Sequence, residues 1–143
     1  MRTLMLGLVL WASNALANDV LALRFAYIFE QPNTEPYQLD GQTWYVHTSK
    51  GIAISDLAAI NLLETTDTYQ PLKLEVSLKP RSYERFRQNI VEDGAFPGVV
   101  VLSNGEAVGS FPVLQKNLPQ TMILPIRDPQ TNRTIYQAVS EQL

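Results

Sequence analysis

The sequence predicts an α+β fold in which a mostly antiparallel sheet carries two or three helices packed on one face. Three observations favour this class. The 143 residues are enough for one domain. Several segments alternate apolar and polar residues as strands do, residues 72–78 most regularly, whereas residues 80–90 repeat their apolar residues at helical spacing. No internal repeat or linker divides the chain, so we expect a single α+β domain over residues 18–143.

The first two strands are predicted from residues 21–29 and 43–48. In the earlier segment, Leu23 and Phe25 fall on one side and indicate a strand with one buried face. The later segment is rich in aromatic and β-branched residues. Between them, residues 31–41 hold two prolines together with Asn, Asp and Gly, a composition typical of a loop.

The middle of the chain predicts a short helix followed by a strand. Ser55 has the side chain of a helix N-cap, and the apolar run after it predicts a helix over residues 57–63. Residues 72–78 predict a half-buried strand, with Lys73 and Glu75 on its wet face.

A second helix is predicted to begin at Pro80, because a proline in the first helical turn costs no hydrogen bond. Tyr83, Phe86 and Ile90 recur at helical spacing and should form its buried face. Gly94 is the predicted stop.

The C-terminal third is predicted to hold three strands and a last helix. Asn104-Gly105 is a type I′ turn signal between a β run at residues 99–102 and a returning strand at residues 106–113. A further strand is predicted over residues 121–126, and Asp128-Pro129 should cap a C-terminal helix.

Residues 1–17 have the pattern of a secretory signal peptide. Arg2 supplies the positive start, residues 4–12 form an apolar run, and Ala15-Leu16-Ala17 is a small-x-small cleavage site. The alternative is an uncleaved membrane anchor, but a spanning helix needs about 20 apolar residues. The pattern therefore predicts an exported protein that begins at Asn18 and has no membrane span after cleavage. The absence of cysteine favours the periplasm as its location.

Composition argues against several function classes. Lys and Arg number 11 against 14 Asp and Glu, so the formal charge of −3 offers no basic surplus for nucleic acid. The chain has no cysteine, which excludes a thiolate zinc site and a thiol nucleophile, and only one histidine, His47. We expect no metal, no cofactor and no catalytic residues, and we interpret Glu92-Asp93 as a solvated helix end.

Several segments of the chain resemble one known family. They are Leu74-Glu75-Val76-Ser77-Leu78, the helix with Tyr83, Phe86 and Asn89, the strand at 99–102, the turn Asn104-Gly105-Glu106 and the closing Pro112-Val113-Leu114. Together they are similar to the periplasmic head subdomain of SecD, an accessory component of the Sec translocon. The resemblance implies a SecD-head-like fold and a periplasmic address. The proton-coupling part of that machine lies in the membrane, so the resemblance does not imply the transport step.

Candidate partner-binding residues lie around the predicted hairpin. Phe96 and Phe111 each adjoin a proline near a strand end, where an exposed aromatic ring is able to hold an apolar partner. The hairpin from residue 99 to Val113 is apolar on both faces, so its second face must be covered. The cover is either the chain itself, through the C-terminal helix or residues 115–119, or a partner protein.

Three functions follow from these observations. The first is a non-catalytic periplasmic module that binds a polypeptide or an envelope protein through a sheet edge or an apolar patch. The second is a hydrolase, which requires two carboxylates to converge in a cleft. The third is a small-ligand or inhibitor-type protein that uses a wet face containing Arg24, Lys73 and Glu75. We favour the first.

We predict that residues 1–17 are removed and that the protein accumulates in the periplasm. Mass spectrometry of protein taken from the native envelope should find an N-terminal peptide that begins at Asn18. An intact Met1 in the membrane fraction would contradict this prediction.

Overall fold

The computed structural model of the chain describes residues 19–93, 98–113 and 119–143. The strands are β1 (Ala22–Tyr27), β2 (Thr34–Leu39), β3 (Gln42–Ile52), β4 (Leu57–Glu64), β5 (Leu72–Leu78), β6 (Gly98–Ser103), β7 (Glu106–Pro112) and β8 (Thr121–Leu124). The helices are α1 (Pro80–Glu92) and α2 (Pro129–Ser140), and a 3₁₀ turn covers Ile54–Asp56. The predicted signal peptide at residues 1–17 lies outside the described residues.

The strands form two sheets rather than the one that the sequence predicted. The first has the order β2-β3-β1-β6-β7 and the second β4-β5-β8. Every pairing is antiparallel, so the predicted α+β class with mostly antiparallel strands is confirmed. The change of sheet comes directly after β3, where the 3₁₀ turn redirects the chain so that β4 pairs with β5.

The helix predicted over residues 57–63 is wrong, because this segment is β4. Ser55 is not a helix N-cap but lies inside the 3₁₀ turn. The run of Leu, Ala and Ile suits either a helix or a strand, and pairing with β5 along most of its length decides for the strand.

The loop predicted over residues 31–41 contains β2, which pairs with β3 in a hairpin. Asp40 and Gly41 have φ angles of 50° and 78°, as a two-residue type I′ turn requires. Pro36 is tolerated because β2 lies at the edge of its sheet.

Other local predictions are confirmed. β5 alternates buried and half-buried residues along its whole length. The Asn104-Gly105 turn has φ angles of 51° and 81°. The Asp128 side chain accepts from the Thr131 N–H and caps α2. The stop predicted at Gly94 lies outside the described residues, and α1 ends at Glu92.

The main hydrophobic core lies between the two sheets and takes side chains from both helices. Phe86 and Ile90 of α1 are buried in it as predicted, whereas Tyr83 is only half-buried. The Phe86 ring packs against Phe25 of β1 with 5.3 Å between the ring centroids. None of the described helices is both long and apolar enough to cross a membrane.

A second, smaller core lies on the other face of the first sheet. Val100 and Leu102 of β6 meet Val46 there, and Tyr37 and Trp44 pack against them. The sheet curls until β2 approaches β7. The second apolar face of the hairpin is therefore covered by β2 and β3, and its burial requires neither α2 nor a partner.

The pairing of β1 with β3 depends on Gly51. β3 pairs through Gly51 with Arg24 and through Val46 with Ala26, so residues 47–50 bulge where β1 has only Phe25. Gly51 has a φ of +152°, and a Cβ at this position would lie 1.9 Å from the Leu23 carbonyl oxygen. No other residue fits this approach of the two backbones.

We predict that Gly51→Ala lowers the free energy of unfolding by about 3 kcal/mol or more, because the added methyl group forces β3 away from β1. Gly41→Ala is the matched control. It also has a positive φ, but nothing lies within 4 Å of the added carbon, so its cost should stay near ~1 kcal/mol. Urea unfolding of both variants measures the difference, and equal midpoints would show that the close approach is not needed.

Candidate functional site

The second sheet has an open edge at β4. β5 is paired on both sides, whereas β4 has a strand neighbour only at β5 within the described residues. The strand is eight residues long and carries no charge before Glu64. An edge strand of this length that has no proline and no charge before its last residue is a template for pairing with another chain.

The other edges are protected in different ways. β2 contains Glu35 and Pro36, and β7 ends in Pro112. These two strands also approach each other as the first sheet curls. β8 is only four residues long. Among the described strands, β4 therefore presents the edge best suited to accept an additional strand.

The hydrogen-bond pattern shows which backbone groups of β4 face outward. The Thr65 N–H donates to the Pro71 carbonyl at 2.9 Å, one step beyond the end of the β4–β5 ladder. In an antiparallel pair, every second residue of a strand forms backbone hydrogen bonds with the neighbouring strand. The backbone groups of Asn61 and Leu63 therefore bond to β5, as those of Thr65 do. The N–H and C=O groups of Ile60, Leu62 and Glu64 therefore point away from the sheet.

The side chains of β4 divide between the core and an open face. Ile60 is buried in the main core and Leu62 packs against it. Asn61 is exposed, and its side-chain amide donates to the Glu75 carboxylate at 3.2 Å. Leu63 remains 37% exposed. A strand added beside β4 would thus extend the apolar face of the sheet, next to Ile60 and Leu62, and the open face that carries Asn61.

A concavity of about 740 Å³ lies at the first residue of β4. Its lining is mostly apolar, and Lys79 is its one cationic side chain. The lining residues are Ile54, Ser55, Leu57, Ala58, Lys79, Gln142 and Leu143. The first two residues of β4, Leu57 and Ala58, therefore form part of the wall of this concavity.

Asp56 fixes the start of β4. One carboxylate oxygen, Oδ1, accepts from the Ser82 hydroxyl and the Arg85 guanidinium, both at 2.9 Å, and the other accepts from the Ala53 N–H at 2.8 Å. Its carbonyl accepts from the Lys79 N–H at 2.9 Å. One residue thereby joins the 3₁₀ turn, β4 and the first turn of α1.

The electrostatics of Asp56 follow from these contacts. Burial by itself would raise the pKa of the Asp56 carboxyl. The hydrogen bonds from Ala53, Arg85 and Ser82, together with the charge of Arg85, outweigh burial and hold that pKa below its ordinary value. Asp56 is therefore a structural carboxylate whose lone pairs are already engaged.

The predicted partner-binding residues do not lie on this edge. Phe111 is half-buried in β7 of the first sheet and packs against the main core. Val113 is 7% exposed and belongs to the same core. Phe96 lies outside the described residues. The side chains of Phe111 and Val113 thus contribute to packing within the domain.

The predicted wet face of Arg24, Lys73 and Glu75 is wrong for Arg24 and correct for Lys73 and Glu75. Lys73 and Glu75 lie on the open face of β5, but Arg24 is on β1 in the other sheet and is 8% exposed. Its guanidinium donates to the Ile52 carbonyl at 3.0 Å and lies 3.9 Å from the Asp19 carboxylate. The small-ligand site proposed from these three residues is not assembled.

The other titratable candidates have local structural partners. His47 is half-exposed as predicted, and its Nδ1 accepts from the N–H groups of Ser49 and Lys50 at 3.0 and 2.9 Å. Burial and the charge of Lys50 lower the pKa of His47. Asp93 is not simply solvated, because its carboxylate accepts from the Tyr27 hydroxyl. In the part of the chain that the structure describes, no three His, Cys, Asp or Glu side chains group as metal ligands.

No protein-family model matches this chain, and neither a curated protein nor a solved structure matches it significantly. The sequence signals for this site were weak. The uncharged run of residues 57–63 is visible in the sequence, but nothing local shows that it becomes an edge strand, and no local pattern marks Asp56.

We predict that Asp56→Asn lowers the free energy of unfolding by about 2–3 kcal/mol at neutral pH, because a charged acceptor of three donors is lost. Since the folded pKa of Asp56 is lowered, its contribution is complete above the unfolded pKa of about 4 and is lost as the pH falls through the folded value. The difference in free energy of unfolding between wild type and Asp56→Asn, measured by urea unfolding, should therefore become smaller below about pH 4.

Glu84→Gln is the control for this prediction. It removes an exposed carboxylate of α1 that lies 3.6 Å from Arg87. Its effect should be within about 0.5 kcal/mol. If the difference in free energy of unfolding between wild type and Asp56→Asn stays constant from neutral to acid pH, the charge of the carboxylate does not contribute to stability.

Proposed function

We propose that this protein is an exported, non-catalytic interaction module that binds an extended segment of another polypeptide by strand addition to β4. The observation that carries the proposal is the long edge of β4, which has no charge before Glu64 and directs the backbone groups of Ile60, Leu62 and Glu64 outward. Binding by strand addition uses such main-chain groups for affinity and the neighbouring side chains for selectivity.

The energetics suit a transient complex. Each outward-facing residue of β4 offers one N–H and one C=O. A typical hydrogen bond contributes about 0.5–1.5 kcal/mol net, and ordering the bound segment costs part of that gain. Apolar contacts next to Leu62 and Leu63 make the binding free energy more favourable. We expect dissociation constants that are roughly micromolar or weaker.

The signal-peptide pattern of residues 1–17 supports the periplasmic address. The resemblance to the periplasmic head of SecD supports the same address and favours a polypeptide as the partner. The structural roles of Asp56 and Asp93 agree with a module that performs no catalysis, since both carboxylates are engaged in holding elements together.

Leu62→Pro tests the proposal. Because the Leu62 N–H points away from β5, proline at this edge position removes no hydrogen bond of the domain but removes a donor to the bound strand. Leu62→Ala is the matched control for the loss of the side chain. Asn61→Pro is the opposite control. The N–H of Asn61 donates to β5, and the loss of this hydrogen bond should unfold the sheet.

The ligands for this test come from random peptides of about ten residues, long enough to span β4. One library presents free C-termini and a second holds the peptides between flanking linkers. Enriched peptides should protect the amides of Ile60, Leu62 and Glu64 from hydrogen exchange. Leu62→Pro should weaken their binding about tenfold or more, and Leu62→Ala by clearly less.

Several outcomes would overturn the proposal. Peptide binding that is unchanged in folded Leu62→Pro would exclude strand addition at β4. Protection from hydrogen exchange that is confined to β7, including Phe111, would show that the peptide binds at the predicted hairpin site instead. Failure of both libraries to yield a binder would contradict polypeptide binding by this edge.

A further inference from the structure

The edge of β4 is regular over only part of its length. The pairing of β4 with β5 shifts register between Leu57 and Ala59, so a bulge separates the first residue of the strand from the rest. A bulge interrupts the ladder and bends the strand locally. A strand that pairs regularly with the outer edge of β4 therefore uses residues 59–64, in which the even-numbered residues direct their backbone groups outward.

The two faces of this regular segment make different demands on whatever covers the edge. Ile60 is 7% exposed and belongs to the main core, and Leu62 packs against that core. On the other face Asn61 is exposed, and the Leu63 side chain is 37% exposed. The covering strand must therefore bring apolar side chains to the first face and must cover Leu63 on the second.

The segment itself meets both demands when two copies pair antiparallel about Asn61. Ile60 then lies opposite Leu62 of the second copy on the core face. Leu63 lies opposite Ala59 of the second copy on the open face. A two-fold axis normal to the sheet repeats each of these contacts, as in the isologous interfaces of most dimers.

We infer that, in the free protein, β4 pairs with β4 of a second copy in this register and so closes its own edge. The two three-stranded sheets become one continuous antiparallel sheet of six strands. The inference rests on the proposed function, because the dimer uses the same outward backbone groups that bind another polypeptide. Dimerisation and peptide binding therefore exclude each other, and the dimer regulates access to β4.

The backbone hydrogen bonds agree with this register. Ile60 and Leu62 direct their N–H and C=O groups outward, so each of them exchanges two hydrogen bonds with the residue opposite. Hydrogen-bonded and non-hydrogen-bonded pairs alternate along an antiparallel ladder. Asn61, whose backbone groups bond to β5, then falls on the axis at a non-hydrogen-bonded pair, where side chains are closest.

The residue on the axis suits a contact with its own copy. A charged residue in this place would repel itself. Asn61 is uncharged, and one N–H of its side-chain amide donates to the Glu75 carboxylate at 3.2 Å. An amide has two N–H donors and an acceptor oxygen, so the remaining N–H and the oxygen are suited to the amide of the second copy.

Other symmetric pairings fit the edge less well. Centring the pair on Leu62 would place the Glu64 carboxylate opposite Ile60, beside the main core, where a charge is costly. Centring it on Ile60 would place Leu62 opposite the bulge. A parallel pairing would turn one copy over, so that its open face would continue the core face of the other.

Cysteine cross-linking tests the register, because the chain has no cysteine of its own. Asn61→Cys places two thiols across the axis, where the Cα atoms of a non-hydrogen-bonded pair are about 4.5 Å apart and a disulfide fits. Oxidised glutathione should therefore link this variant to itself. Leu63→Cys should not link to itself, because its copy lies about 13 Å away along the strand. It should link to Ala59→Cys when the two variants are mixed.

Sedimentation equilibrium tests the dimer in the protein without cysteine. The wild type should show a monomer–dimer equilibrium with a dissociation constant that is roughly micromolar or weaker. Leu62→Pro removes an outward N–H from each copy and should weaken the dimer about tenfold or more. Ile123→Pro is the matched control, because it removes an outward N–H from β8 at the other edge of the same sheet. It should leave the dimer unchanged.

Competition with peptides tests the regulation. An enriched peptide that protects the β4 amides from exchange should convert dimer to monomer and should slow the cross-linking of Asn61→Cys. Its apparent affinity for the wild type should fall as the protein concentration rises, because a smaller fraction of β4 is open. The disulfide-linked Asn61→Cys dimer should bind the peptide at least about tenfold more weakly than the same variant reduced with dithiothreitol.

The outcomes separate this inference from the proposed function. A wild type that stays monomeric up to about millimolar concentration, but binds peptides and loses them in Leu62→Pro, would keep strand addition and overturn the dimer. A dimer that persists in folded Leu62→Pro, or Asn61→Cys that does not cross-link, would overturn the dimer as well. A linked dimer that binds peptide as well as the reduced protein would overturn the regulation. A dimer with the expected cross-links that binds no peptide from either library would keep this interface and overturn the proposed function.

Discussion

The Asp56 carboxylate is the interaction on which the arrangement of the second sheet depends. It lies where the chain leaves the first sheet, and it bonds to the turn before β4 and to the first turn of α1. A buried carboxylate is stable only when its lone pairs are satisfied, and here a backbone N–H, a hydroxyl and a guanidinium satisfy them. This one charged group therefore ties the turn before β4 to the first turn of α1.

The two sheets deal with their edges in opposite ways. The first sheet curls until β2 and β7 approach each other, and it buries Val100 and Leu102 under Tyr37 and Trp44. The second sheet has three strands, and its strand β4 has no strand neighbour other than β5 within the described residues. Natural proteins usually shorten, charge or cover an edge strand. β4 is eight residues long and carries a charge only at its last residue, Glu64, and this is the feature on which the proposed strand addition is based.

β1 also carries a buried cation, Arg24, which is 8% exposed. Its neighbours two residues away on the strand, Ala22 and Ala26, belong to the smaller core. Desolvation lowers the pKa of Arg24, and the nearby carboxylates of Asp19 and Asp56 oppose this effect. The Arg24 guanidinium donates to the Ile52 carbonyl, so Arg24 links β1 to the end of β3 just before the chain enters the second sheet.

The sequence by itself determined the elements whose cause is local. The alternation of β5, the helical spacing of Phe86 and Ile90, the Asn104-Gly105 turn and the Asp128 cap all depend on residues within a few positions of each other. Local spacing and turn chemistry specify such features without knowledge of the rest of the chain. The α+β class followed from their sum.

Only the tertiary structure decided how the strands are shared between sheets. Residues 57–64 fit a helix as well as a strand, and pairing with β5 made them a strand. The Asp40-Gly41 turn signal was present, but Pro36 made the segment look like a loop until its place at a sheet edge was known. The candidate site was hidden for the same reason: an open edge is defined by the partner that a strand lacks, and pairing between distant segments is not encoded in the pattern of any one of them.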